Sequence, residues 1–262
     1  MAIFFEELKQ GLKAFIFWMI GLGFLMFAGM EKFSAMAADP QAINALFASW
    51  PKAVMAMFGG VGLDITTLSG YFGMMWMYAA LVIAVYAIGL GVRLTTLEVS
   101  EKNTDFVYAK PKSRTSILLY KTAAHLVYIV AFAAASYGFT IGGIALSNAH
   151  NDVQTEVLLL SIALIPVALI YYAIAAWTGA VTAKHGGLIA YIMLLATYLA
   201  GIFYDIATKG TDIIRIFAPF KYFNPAEVIA NGSLNVGYTA FGCGIALITL
   251  VCAYALMARK DF

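Results

Sequence analysis

Histidine and cysteine are the side chains of this chain best suited to metal or redox chemistry, so their spacing decides which reactions are open to it. The three histidines, His125, His150 and His185, form no HExxH zinc motif and lie near the ends of apolar segments. Such positions favour interfacial hydrogen bonds over metal binding. Cys243 and Cys252 are nine residues apart in one apolar segment and fall on opposite faces of a helix. This spacing excludes a local disulfide and a CxxC site.

Motifs for cofactor or nucleotide chemistry are missing from the sequence. It contains neither a GxxxxGK[ST] phosphate-binding loop nor a CxxCH haem-attachment motif, although a haem held by distant histidines stays open. An intramembrane hydrolase needs a nucleophile beside a base, or metal ligands at helical spacing, and neither pattern occurs. We therefore expect no catalytic residue, no metal and no cofactor on this chain.

The composition is that of a membrane protein. Of 262 residues, 63% are hydrophobic and only 11% are charged, and the mean hydropathy of +0.86 lies far above that of soluble proteins. The net charge of +2 is small, and no basic run is interleaved with aromatic residues. Nucleic acid is therefore excluded as a partner, and the lipid bilayer is the expected environment.

Six uncharged stretches are long enough to cross the hydrocarbon core of a bilayer as helices. We predict an all-α membrane protein whose residues 1–262 form a single transmembrane domain. The interiors of the spans carry no ionisable residue, and Asp64 and Asp205 are expected to be solvated at helix ends. Such spans favour a transporter that draws its energy from another subunit. The predicted spans are about 14–30, 70–92, 123–146, 157–183, 186–204 and 236–257.

Lysine and arginine are distributed unequally between the two sides of the predicted bundle. Eleven of the 16 lie at the N-terminus, in the loop between spans two and three, in the turn between spans four and five, or at the C-terminus. Cytoplasmic loops carry the excess of positive charge. We therefore expect both termini on the cytoplasmic side.

The N-terminal segment is amphipathic. Phe4, Leu8 and Phe15 share one helical face, and Glu7 and Lys13 lie on the opposite one. The pattern predicts an interfacial helix at residues 3–13. Two alternatives stay open: a plain cytoplasmic extension of the first span, and a cleaved signal peptide.

The loop between spans two and three is the longest polar stretch on the predicted cytoplasmic side. Its 29 residues, 93–121, hold nine of the thirty charges. Thr95 and Glu98 have capping-box spacing, which predicts a short separate helix, and Pro111 breaks any helix running on into span three. Ser113 is placed to cap the next helix. The alternative is a solvated loop with no partner.

The loop motif, together with the C-terminal Arg259-Lys260-Asp261-Phe262, resembles the permease subunits of type-2 ATP-binding-cassette (ABC) exporters. In those proteins a Glu is followed by a polar turn, a Pro with Ser-Arg soon after, and a Lys one to two turns into the next helix. This chain has Glu98, Pro111, Ser113-Arg114 and Lys121 in that order. The six spans and the N-terminal helix extend the resemblance to the whole chain.

The resemblance implies a permease dimer, homomeric or heteromeric, in a bacterial or archaeal cytoplasmic membrane. Each copy would rest on a separate cytoplasmic ATPase subunit through a coupling helix between spans two and three, with ATP and Mg bound by the ATPase. Glu98, Lys102 and Asp105 would contact the ATPase, and Lys110 and Arg114 would anchor the loop. The residues assigned to coupling are Glu98, Glu101, Lys102, Asp105, Lys110, Pro111 and Arg114.

An interior without charge suggests a hydrophobic or amphipathic cargo, such as a peptide toxin, an antimicrobial or a drug. Aromatic residues of spans two and four are the candidates for the path, although an interfacial aromatic belt explains several of them equally well. A membrane assembly or sensor subunit with no transport of its own is the alternative function. The path candidates are Tyr71, Phe72, Trp76, Tyr78, Tyr171, Tyr172 and Trp177.

Overall fold

The computed structural model of the chain describes residues 2–100, 114–147, 152–207 and 211–259. These residues form helices joined by short connections and contain no strand. In chain order the helices are α1 (Ala2–Glu31), α2 (Phe33–Ala37), α3 (Pro40–Ala48), α4 (Lys52–Met57), α5 (Leu68–Ser100), α6 (Arg114–Leu146), α7 (Gln154–Val181), α8 (Gly186–Ile206), α9 (Thr211–Ile216), a 3-10 helix (Pro219–Phe223), α10 (Pro225–Asn231) and α11 (Val236–Arg259).

Six of the described helices, α1, α5, α6, α7, α8 and α11, are long and apolar enough to cross a membrane. The predicted all-α fold with six spans is thereby confirmed. We call the end of the bundle that holds the start of α1 and the end of α11 the terminal end. The other end holds the short helices, α2 to α4 after the first span and α9 to α10 before the last.

Helix α7 forms the centre of the bundle and packs most extensively against α5 and α11. Small residues allow α7 to lie close to its neighbouring helices. A Cβ on Gly91 of α5 would lie 2.3 Å from the carbonyl oxygen of Tyr172, so no side chain fits between α5 and α7 there. A Cβ on Gly186 would lie 2.5 Å from Cα of Gly179, which makes the hairpin between α7 and α8 equally tight.

The structure does not confirm a separate interfacial helix at residues 3–13. These residues are the first turns of α1, which continues unbroken to Glu31 and packs along α6. Their orientation also differs from the expectation, because Glu7 and Gly11 are buried whereas Phe5 and Leu12 are exposed. In a bilayer the apolar face meets lipid, and the polar face turns inward once it has a partner.

The capping box expected at Thr95 and Glu98 is wrong. Thr95 is buried inside α5, which stays helical through Ser100, so it does not begin a new helix. No glycine or proline follows Gly91 within α5, and nothing in its sequence stops it there. Helix α6 begins at Arg114, the residue after the predicted N-cap Ser113.

Candidate functional site

A buried carboxylate joins three long helices at the terminal end of the bundle. Glu7 of α1 is 5% exposed. Its Oε1 lies 3.3 Å from a guanidinium nitrogen of Arg93 on α5 and 3.1 Å from Nε2 of His125 on α6. Its Oε2 lies 3.7 Å from Nζ of Lys121, also on α6. One acidic side chain therefore binds two cations and an imidazole from two other spans.

Hydrogen bonds extend this cluster to α7 and α11. Nδ1 of His125 lies 3.2 Å from the Tyr172 hydroxyl, which lies 3.1 Å from the Thr122 hydroxyl. Thr122 also contacts the hydroxyl of Tyr254 on α11. A neutral His125 satisfies the pattern if Nε2–H donates to Glu7 and Nδ1 accepts from Tyr172. We call Glu7, Arg93, Lys121, Thr122, His125, Tyr172 and Tyr254 the terminal network.

The terminal network is electrostatic rather than catalytic in its geometry. Within the described residues, no three His, Cys, Asp or Glu side chains come together as ligands for a metal ion. A buried ion cluster of this kind fixes the relative positions of helices more than it adds stability.

Two of the seven coupling residues predicted from the sequence lie at the edges of the described structure. Glu98 lies in the last turn of α5, and Arg114 is the first residue of α6. The remaining five lie outside the described residues, and so does the proposed coupling helix. They are Glu101, Lys102, Asp105, Lys110 and Pro111.

Most of the predicted path aromatics lie in the helix-packed core. The Tyr71 hydroxyl donates to the carbonyl of Gly29 at 2.8 Å, and Nε1 of Trp76 donates to the carbonyl of Leu160 at 2.6 Å. Phe72, Tyr171 and Tyr172 are also buried, whereas Tyr78 is half-buried and Trp177 is 38% exposed. The buried residues join helices to one another, and their place on a transport path stays a prediction.

Asp205 is not solvated, contrary to the expectation from its position at a helix end. It is buried on α8, and its Oδ2 lies 2.5 Å from Nζ of Lys221 in the 3-10 helix. The chain folds back over the end of α8, and this return could not be read from helix length. The pair holds the 3-10 helix against α8.

A second ion pair holds the same short helices together. Two guanidinium nitrogens of Arg215 donate to the Glu227 carboxylate at 2.9 and 2.7 Å, and the guanidinium lies 3.9 Å from the centre of the Tyr238 ring. Burial by itself lowers the pKa of Arg215, but the bonds to Glu227 outweigh it and raise that pKa above its ordinary value. Arg215 therefore stays charged and joins α9, α10 and α11.

Sequence reasoning missed Glu7 as the centre of the terminal network. A weak signal was present, because Glu7 and Gly11 are four residues apart, as are Lys121 and His125. Residues at this spacing share a helical face, so each pair could have been read as one polar stripe. The two stripes meet only because α1 packs on α6, and no local pattern in the sequence shows that packing.

Comparison with known proteins is informative over nearly the whole chain. No curated protein sequence matches it. Residues 8–257 match the family described as "Multidrug efflux system permease Rv1217c, C-terminal domain". The matched range includes α5, α6, α7 and α8 in full, most of α1 and α11, and all residues of the terminal network except Glu7. The chain therefore belongs to the family of this multidrug efflux permease domain.

Proposed function

We propose that this chain is the transmembrane subunit of a type-2 ATP-binding-cassette exporter. In this proposal it works as a dimer and moves hydrophobic or amphipathic compounds out of the cell, driven by ATP hydrolysis in a separate cytoplasmic subunit. Membership of a multidrug efflux permease family supports the transport role. The absence of a phosphate-binding loop from the sequence supports a separate ATPase.

The observation that carries the coupling step is the contact of Glu7 with both flanks of the 93–121 segment. Arg93 is the first charged residue of that segment and Lys121 is the last, and both bind the same carboxylate on α1. A force applied to the segment would therefore reach α1 as well as α5 and α6. The terminal network is placed to convert a local push into a joint movement of three spans.

The proposed cycle uses this connection. Closure of two ATP-bound ATPase subunits would push on the coupling segment of each permease. The rigid terminal network would transmit the push, and the spans would rock between inward-open and outward-open arrangements. Charged side chains of the segment, Glu98, Lys102 and Asp105, would make charge-assisted contacts with the ATPase surface.

The family name favours drug-like cargo over a peptide toxin. Ethidium is a suitable probe because it is both aromatic and amphipathic. Cells or inside-out vesicles that contain the chain and its ATPase should move ethidium in an ATP-dependent way. A purely structural or sensor subunit would leave ethidium transport unchanged when the chain is deleted.

The double substitution Glu98→Ala with Asp105→Ala tests the coupling contacts. We expect the permease to reach the membrane at normal levels while ATP-dependent ethidium transport falls at least about tenfold, because two charge-assisted contacts are lost. The matched control is Glu6→Ala with Asp152→Ala, which removes two exposed carboxylates elsewhere. Normal transport by the Glu98/Asp105 variant would contradict the coupling assignment.

A further inference from the structure

The chain that leaves α4 lies directly against the sides of two spans. The hydroxyl of Tyr198 on α8 donates to the carbonyl oxygen of Met57 at 2.5 Å. A Cβ built on Gly59 would lie 2.9 Å from Cβ of Met77 on α5, so no side chain fits there, and Gly59 also has a left-handed φ of 71°. Met57 is therefore fixed beside α8, and Gly59 beside α5.

The positions of these contacts along the helices give their depth. Tyr198 is eight residues from Ile206, the last residue of α8, which is about 12 Å of helix. Met77 is nine residues from Leu68, the first residue of α5, which is about 13 Å of helix. Helix α8 has 21 residues, the length that crosses the hydrocarbon core, so its ends lie near the membrane surfaces. Both contacts therefore lie deep in the hydrocarbon core.

On either side of this deep point the chain returns to the ends of the spans. Lys52 begins α4 and is close enough to Asp205, near the end of α8, for their charges to interact. The carbonyl oxygen of Asp64 lies beside Gly70 in the first turn of α5, where a built Cβ would approach it to 2.0 Å. The chain thus descends in α4, turns at Gly59-Gly60 and rises to Asp64, which is the path of a re-entrant segment.

The backbone at the turn meets the requirement for a segment inside a membrane. The N–H groups of residues 58–60 each donate to a carbonyl oxygen of α4, at 3.0 to 3.2 Å. Gly59 and Gly60 are buried against the protein. Irregular backbone is tolerated at membrane depth only where it is hydrogen-bonded and covered by protein, and this turn satisfies both conditions.

Two apolar side chains at the deep point are exposed. Met57 is 53% exposed and Phe58 is 40% exposed. On α8, Leu195 and Leu199 lie close to Tyr198 in the sequence and are exposed as well. Helix α4 packs on α8, so the exposed side chains of the turn extend the apolar outer surface of that span.

We propose that residues 52–64 form a re-entrant segment whose side chains Met57 and Phe58 contact the acyl chains of one membrane leaflet. This leaflet is the one opposite the terminal end. The depth along α5 and α8 identifies lipid hydrocarbon as the partner, because water is absent at that level. The proposal depends neither on the transported cargo nor on an ATPase subunit.

Spin labels on the full chain in phospholipid vesicles test the proposal. Cys243 and Cys252 are first replaced by alanine, because both are exposed. Each label's collisions with oxygen, which concentrates in hydrocarbon, and with a water-soluble nickel chelate are then measured by electron paramagnetic resonance. The labelled single-cysteine variants are Lys52→Cys, Met57→Cys, Phe58→Cys and Asp64→Cys, with Leu199→Cys on α8 as the matched control.

The expected result is a depth that rises and then falls along the chain. The ratio of oxygen to nickel collisions should be several-fold higher at positions 57 and 58 than at 52 and 64. It should equal the ratio at Leu199→Cys. All five positions have exposed side chains, so labelling should leave the unfolding temperature unchanged, and positions 57 and 58 check each other.

Three results would overturn the proposal. Equal ratios at all four positions of the segment would show that it lies flat on the membrane surface. Frequent nickel collisions at positions 57 and 58 would place them in a water-filled cavity. Few collisions with either reagent, together with spin–spin broadening, would show that a second copy of the chain covers them.

Discussion

At the scale of single residues, Glu7 is the side chain on which the terminal end most depends. Glu7→Gln would remove the carboxylate charge that Lys121 and Arg93 both contact. Breaking a buried ion pair from one side costs on the order of 3 kcal/mol. We expect a clear fall in the unfolding temperature of the solubilised protein, measured by intrinsic fluorescence.

A matched control lies one residue away. Glu6 is exposed, so Glu6→Gln should change the free energy of unfolding by less than about 0.5 kcal/mol. Adding Lys121→Met to Glu7→Gln removes one of the two cations that contact Glu7 and should recover part of the loss. Equal stability of Glu7→Gln and Glu6→Gln would contradict the central role of Glu7.

The pair Asp205 and Lys221 gives a second residue-scale prediction, at the other end of the bundle. Lys221→Met leaves a buried carboxylate unpaired, and Asp205→Asn leaves a buried ammonium. Each single variant should lose stability, whereas the double variant should lose less than the sum of the two. Additive losses in denaturant unfolding would show that the pair does not interact in the folded protein.

Single-residue roles were only partly predictable from the sequence. His125 makes hydrogen-bond contacts with Glu7 and Tyr172, but it is buried between helices and not at the interface that was expected. The burial of Glu7 and Asp205 was not predicted. Each of them pairs with residues that are distant along the chain, and local periodicity carries no information about such partners.

At the scale of helices, the packing of α5 on α7 depends on Gly91. Its missing side chain lets the two backbones approach, and a Cβ would meet the Tyr172 carbonyl oxygen at 2.3 Å. Gly91→Ala should therefore destabilise the protein by about 1–3 kcal/mol, as overpacking does. The measurement is thermal or denaturant unfolding of the solubilised protein.

Gly138 of α6 supplies the control for this prediction. A Cβ at Gly138 would meet no atom within 4 Å. Gly138→Ala should leave stability unchanged or raise it by up to about 1 kcal/mol, because alanine favours the helix. If both variants unfold alike, the close contact of α5 and α7 is not a constraint on the fold.

The six spans were predictable because a bilayer requires long uncharged helices. Their ends were harder to place. Helix α5 continues to Ser100 and α6 begins at Arg114, so both helices extend beyond the apolar stretches that indicated them. Hydropathy marks the part of a helix inside the membrane, whereas hydrogen bonding along the backbone continues until the sequence stops it.

At the scale of the whole molecule, the terminal network holds helices together at one end of the bundle. The two ion pairs hold helices together at the other end. The terminal network ties α1, α5, α6, α7 and α11 together next to the segment that we propose to meet the ATPase. The pairs of Asp205 with Lys221 and of Arg215 with Glu227 hold the short helices at the other end. We propose that a bundle held together at both ends rocks as a unit in the transport cycle.

The central claim is that an ATPase subunit drives this permease, and affinity purification from detergent-solubilised native membranes tests it most directly. Mass spectrometry of the purified material should identify a nucleotide-binding ATPase in about equal amount to the chain. The Glu98/Asp105 double variant should recover much less of it. Reproducible recovery of the chain without any such ATPase, while the chain itself stays folded, would contradict the account.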